Sequence, residues 1–142
     1  MPLIINDDKI WFDEAQKLKH ICLRVSDVCN NGQRVLLLSH FESALATLAR
    51  LLREKGITCS RAQLNLSDLV AGRPACVWLS QARAFHLANQ VTSRLEKATL
   101  EIIVAEHHPL QSRDQEVVNA AANLGCEATL TFYFSLDDPL MK

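Results

Sequence analysis

Three times in 142 residues a helix-periodic stretch ends at a glycine and gives way to a strand-like run, at Gly32, Gly56 and Gly125. Glycine closes a helix in the left-handed conformation without steric cost. The short apolar runs between the helices fit strands buried on both faces, as in a parallel sheet. Parallel strands must be joined by crossovers, and helices laid on the faces of the sheet provide them. The repeated unit therefore predicts one α/β domain, residues 1–142. Its expected architecture is a three-layer αβα sandwich around a mostly parallel, five-stranded sheet.

The individual elements follow from spacing. Trp11, Ala15, Leu18, Cys22, Val25 and Cys29 recur every three or four residues and predict one helical stripe. Asp13 and Glu14 stand near its start, where negative charge suits the helix dipole. Val35-Leu36-Leu37-Leu38-Ser39 is the first expected strand, followed by a helix over residues 42–55 with Leu45, Leu48, Leu51 and Leu52 on its apolar face. Strands are expected over 57–64, 75–79 and 100–105, with a polar loop over 65–74 and helices over 83–97 and, after Pro109, 110–124. In the last strand, 128–134, Thr129 and Thr131 alternate with Leu130 and Phe132, the pattern of a half-exposed sheet edge.

Charge and cysteine content exclude several classes. Fifteen basic residues against sixteen acidic ones give a net charge of -1, with no broad positive field for nucleic acid or an anionic membrane. The five cysteines are odd in number and form no C-x-x-C pair, so a reducing, cytoplasmic setting is expected rather than a disulfide framework. Met1-Pro2-Leu3-Ile4-Ile5-Asn6-Asp7-Asp8 lacks the basic region of a signal peptide, and no apolar run reaches membrane-spanning length. Direct insertion into a membrane is not expected.

Three segments carry a resemblance. Gly32-Gln33-Arg34-Val35-Leu36-Leu37-Leu38-Ser39 precedes a leucine-rich helix that ends Leu51-Leu52-Arg53-Glu54-Lys55-Gly56-Ile57. Glu106-His107-His108 follows the fourth expected strand, and the chain ends Phe132-Tyr133-Phe134-Ser135-Leu136-Asp137-Asp138-Pro139-Leu140-Met141. In order and spacing these resemble the second RecA-like motor domain of the SecA translocase ATPases, over roughly residues 10–142. Asp114, Ala121 and Gly125 also match. The resemblance implies RecA-like, P-loop NTPase-type topology of the helicase C-terminal kind. At the acidic-Arg-His turn of that family, Glu106 and His108 match, but His107 replaces the arginine.

The resemblance also shows what is missing. The family binds ATP between two such domains, and arginines of the second steady the transferred phosphate, a contribution of about 10³–10⁵ in rate. This sequence has no G-x-x-x-x-G-K-[ST] phosphate loop. Val118, Ala120 and Asn123 stand where the family's arginines are expected, and no arginine follows Arg113. Short neutral side chains cannot offset phosphate charge. The resemblance thus implies a pseudo-ATPase domain, with no bound cofactor or metal expected.

The candidate ligand- or partner-binding residues are His40, Gln81, Arg83, Glu106, His108 and Arg113. All but Arg113 lie on loops expected at the carboxyl ends of strands, where open α/β sheets bind ligands. Arg83 reads either as an anion contact or as a solvated helix residue. His107 and His108 are adjacent and point apart in extended chain, so they do not readily share a metal. Two functions remain open. One is a non-catalytic protein-interaction module accessory to protein export, its partner a SecA-type motor, an export component or a second copy of itself. The other is a small-molecule or nucleotide-binding domain with its site at the strand ends.

Overall fold

A computed structural model describes residues 3–60, 77–82, 85, 99–106, 110–122 and 127–136. Strands β1 (Leu3–Ile5) and β2 (Lys9–Trp11) open the chain and lead into helix α1 (Glu14–Asn30). β3 (Arg34–Ser39), α2 (Glu42–Glu54), β4 (Cys59–Ser60), β5 (Val77–Gln81) and β6 (Thr99–Val104) follow. Helix α3 (Gln111–Ala122) and strand β7 (Glu127–Ser135) complete the described elements. The expected helix over 83–97, the loop over 65–74 and the Gly125 stop lie outside the described residues.

Two of the glycine stops do what their position predicts. Gly32 and Gly56 have φ of 79° and 78°. Beyond them, the Gln33 and Ile57 N–H groups donate back to Val28 and Leu52 carbonyls at 3.2 and 3.0 Å. Each bond satisfies a helix-end carbonyl and aims the chain into the next strand.

The described sheet has seven strands in the order β1-β7-β6-β3-β5-β4, with β2 also paired to β7, and every pairing is parallel. The five expected strands form its body. β1 and β2 add to it, so β7 lies between β6 and the amino-terminal segment instead of forming the edge. Thr131 is accordingly buried, and its Oγ1 accepts a hydrogen bond from Asn6 Nδ2 at 2.9 Å.

One core lies on each face of the sheet. Leu18, Ile21, Cys22, Val25 and Val28 of α1 join Leu45, Leu48 and Leu52 of α2 over Val35, Leu37, Val77, Leu79 and Ile103. Val117, Ala120 and Ala121 of α3 pack on the opposite face with Leu36, Leu38, Trp78, Ile102 and Leu130. The expected stripe on α1 holds at Leu18, Cys22, Val25 and Cys29 and fails at its first two members, Trp11 and Ala15. Asp13 caps the helix, its Oδ1 accepting the Gln16 N–H at 2.8 Å, so Trp11 falls before the helix, in β2. Ala15 is exposed, and Lys17 takes a buried place.

Candidate functional site

The strand order fixes where a site would form. From β3 the chain crosses through α2 towards β4, whereas from β6 it crosses through α3 towards β7. Their carboxyl ends therefore flank the point where the connections diverge, the usual ligand crevice of an open α/β sheet.

Among the described residues here, polar groups satisfy one another. The Ala105 N–H donates to the Leu38 carbonyl at 2.8 Å, extending the β3–β6 pairing. One residue on, Glu106 Oε1 accepts both the Ser39 hydroxyl and the His40 N–H at 2.6 Å. Ser39 Oγ in turn accepts the Phe41 N–H at 3.1 Å, at the start of α2. His40 Nε2 meets Asp114 Oδ1 of α3 at 3.1 Å. The turn after β3 is thus tied to β6 and to the helix on the opposite face of the sheet.

Glu106 is 3% exposed. Burial pushes its carboxyl above the ordinary value of 4.5; the bonds from Ser39 and His40, and the charges of Lys17 and His40, pull the other way. Lys17 is also buried, and its Nζ lies 3.0 Å from Glu14 Oε2. The same Glu14 oxygen is 3.3 Å from Ser135 Oγ, at the end of β7. Positive charge from the first turns of α1 is therefore held within the sheet end. A lysine among Ile21, Val25 and Val28 at helical spacing was the one available sequence signal, and a lysine on a helix ordinarily reads as exposed.

Of the six expected site residues, the structure brings His40 and Glu106 together. Gln81 ends β5 beside Ser39 and donates from Nε2 to Glu42 Oε2 at 3.2 Å, on the exposed rim. Arg113 pairs with Glu116 of its own helix at 3.1 Å. Arg83 and His108 lie outside the described residues. Sequence reading missed Lys17 and Glu14 as members, and it noted Asp114 only as a family match. Among the positions expected to carry arginine, Val118 is half-buried and Ala120 is in the core, while Asn123 lies outside the described residues.

Among the described residues no group of three or more His, Cys, Asp or Glu side chains is placed to hold a metal ion. No helix among them is long and apolar enough to cross a membrane. A second feature lies one strand further along the same sheet end. Ile10, Trp11, Phe12, Asp13, Gln16 and Leu136 line a hollow of about 560 Å³.

Comparison with known proteins agrees with this architecture. The chain is 29% identical over 147 residues to the protein translocase subunit SecA of Chlorobium phaeovibrioides, covering 96% of this chain and 14% of that protein. It therefore spans about one-seventh of that relative's length. No protein-family model matches. The C-terminal part of the Fun30 ATPase domain superposes with a TM-score of 0.63 at 15% identity, over 85% of this chain and 41% of that one. A chain from the structure of Escherichia coli DEAD-box protein SrmB bound to regulator of ribonuclease activity A gives 0.68 at 14% identity, over 99% and 83%. The Pyrococcus furiosus Hef helicase domain gives 0.59 at 9% identity, over 86% and 26%. At such identities the structural likeness is one of fold, and that fold is RecA-like α/β, as expected from sequence. The chain is similar to SecA, and to domains of translocase and helicase type.

Proposed function

We propose that this chain is a non-catalytic protein-interaction module built on a translocase-type motor fold and accessory to protein export, acting in the cytoplasm. The observation that carries the reading is the inward-turned carboxylate of Glu106. In the crevice where an α/β domain would receive a ligand, this group is used to bind the chain's own Ser39 and His40. A phosphate placed there would find no glycine-rich cradle, and Val118 and Ala120, where the resemblance expects arginines, offer it no charge. The sequence supplies neither a phosphate loop nor arginines after Arg113. The similarity to SecA makes a SecA-type motor or another export component the first partner to test, with a second copy of the chain as the alternative.

Affinity capture with a purified cognate SecA, alongside size-exclusion chromatography, tests this directly. Stable co-elution or self-association supports the module. A strict monomer that retains no export component refutes it, as does ATP turnover by the purified chain.

A second reading, a small-molecule or nucleotide-binding domain, draws on the convergence of His40, Glu106 and Asp114 at the strand ends. Calorimetry with ATP and with ADP separates the two. Heat of binding at millimolar nucleotide, lost in Glu106→Leu, favours the second.

A further inference from the structure

The segment before α1 is held to the sheet differently from the strands it joins. Residues 3–11 contain no fully buried side chain: Leu3 and Trp11 are half-buried and every residue between them is exposed. Backbone pairing and two anchors hold the segment in place. β1 lies parallel along Ala128, Thr129 and Leu130, and β2 along Tyr133, Phe134 and Ser135. At the break between them, the Asn6 N–H donates to the Leu130 carbonyl and Asn6 Nδ2 to Thr131 Oγ1, each at 2.9 Å. At the far end Trp11 stacks on Tyr133, and its carbonyl accepts the Leu136 N–H at 3.0 Å. β7 itself is secured from the other side. It pairs with β6 from Thr99↔Glu127 to Val104↔Phe132, and Ala128, Leu130 and Phe132 lie in the core that α3 covers. A segment held mainly by backbone bonds, with its side chains in water, opens before the core does.

Only Phe12 separates β2 from Asp13, the extended N-cap of α1. Straightening at Phe12 lifts the segment off β7 and leaves the helix capped. The edge then exposed has a slot already matched to one sequence: Thr131 faces an asparagine side chain, and Tyr133 faces an indole. Every second copy of the chain carries that sequence. Edge-to-edge pairing of two closed chains is hindered, because exposed Asp7 and Asp8 interrupt the outer edge between β1 and β2. Exchange meets no such obstacle. Each bond lost within a chain is regained between chains, and a short hinge favours the exchange.

We propose that residues 3–11 form a releasable strap, and that two copies of this chain associate by exchanging it, each laying its strap on the other's β7. The proposal rests on the self-association alternative of the interaction-module reading and supplies its contact surface.

The test uses the full chain and a blocked peptide of residues 3–12. In the unaltered chain, amide hydrogen exchange of Asn6 and Leu136 is expected to be at least about a hundredfold faster than that of Ala105, which bonds across β3 and β6. The peptide is expected to bind by displacing the strap. Asn6→Ala in the chain loosens the chain's own strap and should tighten peptide binding by about tenfold; the same change in the peptide should weaken it by about tenfold. That reversal of sign separates exchange from docking on a closed chain. Deleting Phe12 shortens the turn so that the strap no longer reaches its own β7, and dimers are expected at micromolar concentration by size-exclusion chromatography. Equal exchange of the three amides overturns the proposal, as does a peptide that fails to bind or whose affinity ignores Asn6→Ala in the chain. A folded, strictly monomeric Phe12-deleted chain also overturns it. Capture of a cognate SecA by a chain that fails these tests removes the strap assignment and leaves the module reading standing.

Discussion

At the ends of β3 and β6, Glu106 is 3% exposed and its carboxylate is taken up by Ser39 and His40; beyond β7, at the same end of the sheet, Phe12 is 85% exposed and Ile10 59%. The first region has the residue types of a ligand site and spends them on its own structure. The second has the residue types of a core and leaves them in water. Lys17 and Glu14 stand between the two, because Glu14 reaches Ser135 and Lys17 while Lys17 lends charge to Glu106. The contrast teaches that polar residues at strand ends do not by themselves make a binding site. What matters is whether their hydrogen-bonding capacity is still available after the strands have closed.

The sharpest way to break the contrast is Glu106→Leu. If the cluster is structural, this change removes the acceptor of the His40 N–H, while the Ser39 hydroxyl falls back on the Phe41 carbonyl at 3.1 Å. A buried donor left unmade costs about 1–3 kcal/mol, so a loss of about 2 kcal/mol is expected, read from urea midpoints. A loss below about 1 kcal/mol would mean that the turn after β3 relaxes to water, and that the crevice opens readily.

Lys17→Met probes the link between the regions. Methionine keeps the length and the apolar stem but removes the charge that compensates Glu106 and pairs with Glu14. A loss of about 1–2 kcal/mol is expected, smaller when introduced into Glu106→Gln than into the unaltered chain. Equal losses in both backgrounds would show that Lys17 serves Glu14 alone.

How far this arrangement is legible in the sequence depends on the length of the pattern. Val35-Leu36-Leu37-Leu38-Ser39 and the Leu45, Leu48, Leu52 face are long enough to declare a buried strand and its covering helix, and Gly32 and Gly56 mark where the chain turns. β1 and β2 are three residues each, below the length at which alternation can be recognised. Trp11 also lies four residues before Ala15, so it joined a helical stripe by coincidence; the Asp13 cap is what ends that register. Missing those strands made β7 look like an edge. The polar cluster was half legible. Ser39, His40 and Glu106 follow apolar strands and so had to lie at strand ends, but that they face one another depends on β3 and β6 being neighbours. Lys17 was hidden because nothing local distinguishes a buried lysine from a solvated one.

Acidity sharpens the comparison by a different route. Glu106 holds its proton more tightly in the folded chain than in the unfolded one. Its contribution to stability is therefore fully present below its ordinary value of 4.5 and is lost as pH rises through the raised folded value. In Glu106→Gln the amide oxygen still accepts from Ser39 and His40, so stability at pH 7 should stay within about 1 kcal/mol of the parent. The decline with rising pH should flatten. Parallel stability curves for the two proteins across weakly acid pH would show that Glu106 does not carry that slope.

Phe12→Ser should have the smallest effect on the folded chain. With 85% of the residue in solvent, little burial is lost, and a change within about 0.5 kcal/mol is expected. Trp11 remains stacked on Tyr133 beneath it, so the hollow keeps its floor. A drop of about 2 kcal/mol would instead mean that Phe12 is already covered in solution, by another part of the chain or by a second copy. The two regions would then be alike, both closed by the protein's own groups. Only if stability is unmoved does the contrast hold, with the polar groups at the strand ends serving the fold and the Phe12 ring left in water.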